Sequence, residues 1–183
     1  MKQRLGWLLA VSFAALAVTV GVARAGSIGV GVFGGTGVPV VQADEGNGPV
    51  FGLRAPVKLV PLFTLEPFYS SQSLGDVTLD ISPGVTATRE GSDVKAYGLN
   101  ALLTFGGPVT FYPFAGIGHA HYTRSGQDES SAAYQLGLGL GLSPLPKLTI
   151  DLRAELQAAV DGSTSRKVGN FTLGASFALF HLP

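Results

Sequence analysis

Tyr134-Gln135-Leu136-Gly137-Leu138-Gly139-Leu140-Gly141-Leu142 alternates a large apolar side chain with glutamine or glycine from end to end. The pattern resumes at Leu148, Ile150, Leu152, Ala154 and Leu156, set against Thr149, Asp151, Arg153, Glu155 and Gln157. It returns at Phe171, Leu173, Ala175, Phe177 and Leu179, set against Thr172, Gly174, Ser176 and Ala178. A period of two is the signature of a β-strand, whose successive side chains point to opposite faces. A soluble sandwich would bury the apolar face and show lysine or glutamate to water. Here the opposite face is rich in glycine and carries charges of both signs, which suits the interior of a narrow barrel. The apolar face is then the one that meets lipid.

Working outward from this stretch, the same alternation predicts eight strands. They are 27–35, 50–59, 62–70, 94–105, 109–123, 132–142, 148–160 and 168–180, each near the length a tilted strand needs to cross hydrocarbon. Val60-Pro61, Gly106-Gly107-Pro108 and Ser143-Pro144-Leu145-Pro146-Lys147 read as tight turns. Segments 36–49, 71–93, 124–131 and 161–167 read as longer polar loops. Short turns on one side and long loops on the other are the arrangement of outer-membrane barrels, with the short turns in the periplasm. Within 71–93, Val77-Thr78-Leu79-Asp80-Ile81 alternates on its own, as an extended hairpin would.

Aromatic residues mark the two expected interfaces. Phe63, Phe105, Phe111 and Phe177 fall near the turn ends, while Tyr69, Tyr97, Tyr122, Tyr134 and Phe171 fall near the loop ends. Pro56, Pro67 and Pro113 lie inside predicted strands, where each is expected to cause a bulge or a lost ladder bond.

Residues 1–25 read as a cleavable signal peptide, with an uncleaved membrane helix as the alternative: basic Lys2 and Arg4, an apolar run from Leu5 to Val22 diluted by Gly6, Ser12, Thr19 and Gly21, and the small-x-small site Ala23-Arg24-Ala25. The remaining domain, 26–183, is expected to be the barrel. Lys2, Arg4 and Arg24 would leave with the leader, so 9 basic and 12 acidic residues stay, a net charge of −3. That balance argues against nucleic acid as a partner. With no cysteine there is neither a disulfide nor a lipidated thiol. The mean hydropathy of +0.35, without a second long apolar run, fits lipid contact spread over many short strands.

The final strand carries Thr172-x-Gly174-x-x-Phe177-x-Leu179, which resembles the C-terminal assembly signal of outer-membrane β-barrels, although the chain runs on to His181-Leu182-Pro183. Tyr112-Pro113-Phe114-Ala115-Gly116-Ile117-Gly118, and the hairpin from Ala133 to Leu156, resemble segments of the small porin-like barrels of the OmpA/OmpX type. The resemblance spans essentially the whole of 26–183. It implies an all-β, eight-stranded, antiparallel up-and-down transmembrane barrel in the outer membrane, exported through the periplasm and inserted by the barrel-assembly machinery. It implies outer-membrane lipid and lipopolysaccharide as surroundings, and a monomer. It says little about activity, because that superfamily includes structural proteins, adhesins, small-solute channels and lipid A enzymes.

Six charges are expected inside the barrel: Arg54, Lys58, Glu66, Asp151, Arg153 and Glu155. An eight-stranded barrel is just wide enough for side chains to fill, so these charges read as a salt-bridged plug, with a narrow polar pore as the alternative. The acidic residues Asp44, Glu45, Asp76, Asp80, Glu90, Asp93, Asp128 and Glu129 read as a solvated outer face without the spacing of a calcium loop. His119 and His121 share one strand face at the outer interface. They read as a metal or phosphate contact, or simply as two polar interfacial residues, since a pair lacks the remaining ligands of a metal site. A lipid A-deacylating enzyme would need a nucleophile held by a base. The histidine-x-serine-asparagine motif of such barrels is absent, His181 falls at the periplasmic end, and nothing fixes Ser125 or Ser130 against His121. No catalytic residue, cofactor or metal is therefore assigned. The expected role is structural or surface interaction, with a narrow channel for small solutes, then a lipid A-modifying enzyme, as alternatives.

Overall fold

Alternation this regular leaves little of the chain outside strands. The computed structural model describes residues 26–40, 45–82, 85–161 and 164–181. The expected signal peptide and Asp44 lie outside them. In chain order the strands are β1 (Ser27–Pro39), β2 (Gly48–Arg54), β3 (Val57–Val60), β4 (Phe63–Ser73), β5 (Val77–Ser82) and β6 (Val85–Arg89). They continue as β7 (Asp93–Leu103), β8 (Phe105–Gly106), β9 (Val109–Arg124), β10 (Gln127–Leu145), β11 (Leu148–Asp161) and β12 (Thr164–His181). No helix of the described residues is long and apolar enough to cross a membrane.

Apart from β5 and β6, which pair only with each other, the strands make eight staves, because β3 continues the line of β2 and β8 that of β7. Each stave pairs antiparallel with the next, and β1 closes the ring on β12, from Ser27 opposite His181 to Pro39 opposite Val168. Closure leaves no stave with an unpaired edge. The apolar face points out: Leu136 is 65% exposed, Leu152 59% and Phe171 59%. Glu66 is 1% exposed, and Arg54 and Asn100 2% each. The fold is therefore a polar-cored cylinder with a hydrocarbon-like surface, as a transmembrane barrel requires.

The three prolines act on the staves to different degrees. Pro56 does break one, separating β2 from β3, and the seam is held by Gly29 N donating to Pro56 O and Ala55 N to Pro67 O, both at 2.9 Å. Pro67 and Pro113 sit in register opposite Leu99 and Leu138 with no shift around them. Each lacks one N–H, which costs a ladder bond without moving its neighbours.

Two outer connections are shorter than the sequence predicts. β9 and β10 are joined by Ser125-Gly126 alone, at φ of 47° and 77°, with Arg124 paired to Gln127. Two successive positive φ values match the primed hairpin turn that suits strand twist. Asp161 likewise pairs with Thr164. The polar residues of 124–131 and 161–167 thus extend the staves beyond the apolar band. The hairpin expected within 71–93 is present as β5 paired with β6. Tyr122 does not join the outer aromatic belt: it is 3% exposed and points inward, on the same face of β9 as Tyr112 and Phe114.

Candidate functional site: the lumen charges and the loop hub

Side chains from opposite staves meet across the lumen. Arg54 on β2 reaches Asp151 on β11, with Nη2 2.5 Å from Oδ2. Arg153, two residues along β11, binds Glu66 of β4 through both terminal nitrogens, at 2.5 and 2.8 Å. Its Nε donates to the Tyr112 hydroxyl (2.9 Å) and to Asp151 Oδ1 (3.1 Å). Asp151 therefore links the two arginines. Paired forks of this kind are the strong form of charged hydrogen bond.

Aromatic rings and missing β-carbons make the geometry fit. Arg153 lies over the rings of Tyr112 and Phe114, 5.2 and 5.4 Å from their centres, and Arg54 lies 5.7 Å from that of Phe33. A β-carbon at Gly139 would collide with the Tyr112 ring, and one at Gly174 with the Arg54 guanidinium. Glycine on the inner face is what lets long side chains cross so narrow a bore.

The other two predicted charges behave differently. Glu155 faces inward and accepts a hydrogen bond from Asn170 Nδ2 (3.2 Å), but forms no salt bridge among the described residues. Lys58 is half-buried and lines a cavity of about 360 Å³ at the short-turn end, along with Lys147, Thr64, Tyr112 and Asp151. It too makes no salt bridge among the described residues. On the other side of the arginines a cavity of about 20 Å³ is lined by Asn100, Gln135, Glu155 and Asn170. That is room for about one water. Asn100 Oδ1, Gln135 Oε1 and Arg54 Nη1 have no hydrogen-bond partner there.

At the long-loop end stands a cluster that sequence reasoning does not reveal. Glu45, expected on a solvated face, is 6% exposed. Its Oε1 accepts from Ser92 Oγ (2.6 Å) and lies 3.4 Å from Arg124 Nη2 and 3.5 Å from Arg166 Nη1. Arg166 also binds Glu129 (3.1 Å) and stacks on Tyr122, 4.9 Å from the ring centre. One carboxylate, in the connection after β1, so joins the segment before β7, the end of β9 and the start of β12. Backbone bonds between Gly46 and Gly75 (2.7 and 3.1 Å), and the bond from Arg124 Nε to Glu90 O (2.8 Å), tighten the same cap. Three further acids each accept one hydrogen bond: Asp76 from Gly91 N, Asp93 from Ser73 Oγ and Asp128 from Thr123 Oγ1. The hub's partners lie far apart in sequence, and no local motif announces them.

The remaining candidates do not converge. His119 and His121 are exposed on the outside of β9, and Ser125 Oγ donates to Glu90 rather than to a histidine. No group of three or more metal-ligating side chains occurs among the described residues. Of the residues resembling an assembly signal, Phe177 and Leu179 face outward, while Thr172 and Gly174 face the lumen.

A closed ring of eight antiparallel staves, apolar outside and ionic within, defines a transmembrane β-barrel. The chain belongs to the family described as the outer membrane protein beta-barrel domain, whose model matches residues 7–178. Among solved structures it is similar to Neisserial surface protein A, with a TM-score of 0.67 and 14% identity over 84% of this chain and 99% of that one. It is similar to a major outer membrane protein from Thermus thermophilus, with a TM-score of 0.53 and 14% identity over 84% and 99%. It also matches the Yersinia pestis outer membrane protein Ail in a bilayer nanodisc, with a TM-score of 0.51 and 18% identity over 84% and 99%. At these identities the likeness is one of fold. No curated protein sequence matches the chain. The protein resides in the outer membrane, and in barrels of this class the short turns face the periplasm.

Proposed function

We propose that this is a non-enzymatic outer-membrane barrel with a closed lumen, acting structurally or through contacts made by its outer loops. The observation that carries this reading is the chain of ion pairs from Arg54 through Asp151 and Arg153 to Glu66, which spans the bore. Charges fixed in this way bind one another and resist passage of an ion. The Glu45 hub supports the second half of the reading, because loops joined at one carboxylate present a fixed outer surface. The chain is monomeric in this reading, is cleaved after Ala25, and uses Thr172, Gly174, Phe177 and Leu179 for recognition by the barrel-assembly machinery. Single-channel recording in planar bilayers tests the closed lumen. Wild type should pass no steady current, and a steady current would overturn the proposal.

A narrow channel for small solutes is the second reading. The cavity of about 360 Å³ favours it, since it reaches Asp151 and Arg153 from the periplasmic end. On this reading wild type conducts before any substitution is made.

A further inference from the structure

The outer wall of β4, β7, β9 and β10 changes chemistry row by row. Pro67, Leu99, Ile117 and Tyr134 are neighbours in register and form an apolar row. One row toward the loops stand Tyr69, Tyr97, His119 and Ala132, and one row further Ser71, Lys95, His121 and Ser130. His119 is ten residues along β9 from Val109. At ~3.4 Å per residue and a tilt of ~40°, that is roughly 26 Å along the membrane normal, the height of the apolar band. Lys95, His119 and His121 therefore stand where the hydrocarbon ends and lipid phosphates begin.

The Tyr97 ring sits between the two imidazoles, 5.9 Å from His119 and 6.0 Å from His121, stacked on the latter at 23°. Lys95 lies opposite His121 in register. All four side chains are exposed, and neither Lys95 nor either histidine makes a salt bridge among the described residues. The nearest acids, Asp93 and Asp128, lie a further row up and accept hydrogen bonds from Ser73 and Thr123. An ammonium beside two imidazoles repels a metal ion and attracts an anion. Apolar side chains directly beneath suit an anion that carries an acyl chain.

We propose that Lys95, His119 and His121, braced by Tyr97, bind the phosphate of an outer-leaflet lipid whose acyl chain lies along Leu99 and Ile117. Ser71 and Ser130 flank the site and can donate to the same group. This goes beyond the reading of the lumen and loops and does not depend on it.

Native mass spectrometry of the folded full chain in detergent with lipid A tests the proposal. Heat-modified gel mobility selects the folded fraction. The fraction carrying lipid A should fall at least about fivefold in the variant Lys95→Ala/His119→Ala/His121→Ala. It should fall comparably in the single variant Lys95→Glu. Dephosphorylated lipid A should bind wild type as weakly as phosphorylated lipid A binds the triple variant. Inorganic phosphate should not displace the lipid. Equal retention by wild type and both variants would overturn the proposal. So would equal retention of dephosphorylated lipid A by wild type, displacement by free phosphate, or stoichiometric Zn²⁺ binding that needs the two histidines.

Discussion

The Nη2 atom of Arg54 occupies the space into which a β-carbon on Gly174 would project. The same nitrogen holds Asp151 at 2.5 Å. A methyl group at 174 must therefore push the guanidinium off its partner. Gly174→Ala is expected to lower stability by about 1–3 kcal/mol, the range for overpacking a filled interior. Urea unfolding after refolding into vesicles, with no assembly machinery present, measures it. Normal stability there combined with poor assembly in cells would assign Gly174 to recognition instead of packing.

Removing one side of the Arg153–Glu66 fork should be costly. Glu66→Ala leaves a buried guanidinium with only Asp151 and Tyr112, and a loss of about 3–5 kcal/mol is expected. Replacing both residues with methionine should recover much of that loss, because the pair's desolvation cost then disappears as well. If Glu66→Ala unfolds at the wild-type urea concentration, the fork contributes nothing.

Glu155 should respond in the opposite sense. It faces the lumen and keeps one amide donor, Asn170, with no arginine in ion-pair contact among the described residues. Glu155→Gln removes a poorly compensated charge and retains a group that can accept from Asn170. Stability at neutral pH should stay the same or rise, by up to about 1 kcal/mol. Destabilisation matching that of Glu66→Ala would mean Glu155 shares the arginines.

The outer cap gives a prediction that leaves the barrel intact. Glu45→Ala deletes the shared acceptor of Ser92, Arg124 and Arg166. Amide exchange near Gly91, Ser92 and the 124–127 turn should speed up about tenfold, equivalent to about 1.4 kcal/mol of lost local protection. Urea unfolding of the transmembrane staves should not change. Unaltered exchange at these amides would show that the backbone bonds alone hold the cap.

Three staves can be read almost residue by residue, because β10, β11 and β12 alternate over most of their length and alternation is a local property. The lumen charges follow from the same phase: once Leu152 faces out, Asp151 and Arg153 face in. Tyr122 shows the cost of letting residue type override phase. The alternation that sends Val109 and Ile117 outward already puts residue 122 inside, yet its aromatic ring suggests the interface belt. The segment 124–131 reads as a loop because its residues are polar, whereas polarity there reflects a stave standing in water. The hub is not legible at all. Glu45 and Arg166 are 121 residues apart, and only closure of the ring brings them together.

The seam between β1 and β12 has a consequence for biogenesis. The first stave to leave the ribosome has the last one as its neighbour, so Val32 must wait for Ala175 to be synthesised before its ladder is complete. A nascent chain shortened by one stave would keep two raw edges and could not seal by local adjustment. Sealing is thus a single late event, and until it occurs the chain must be kept from pairing with strangers.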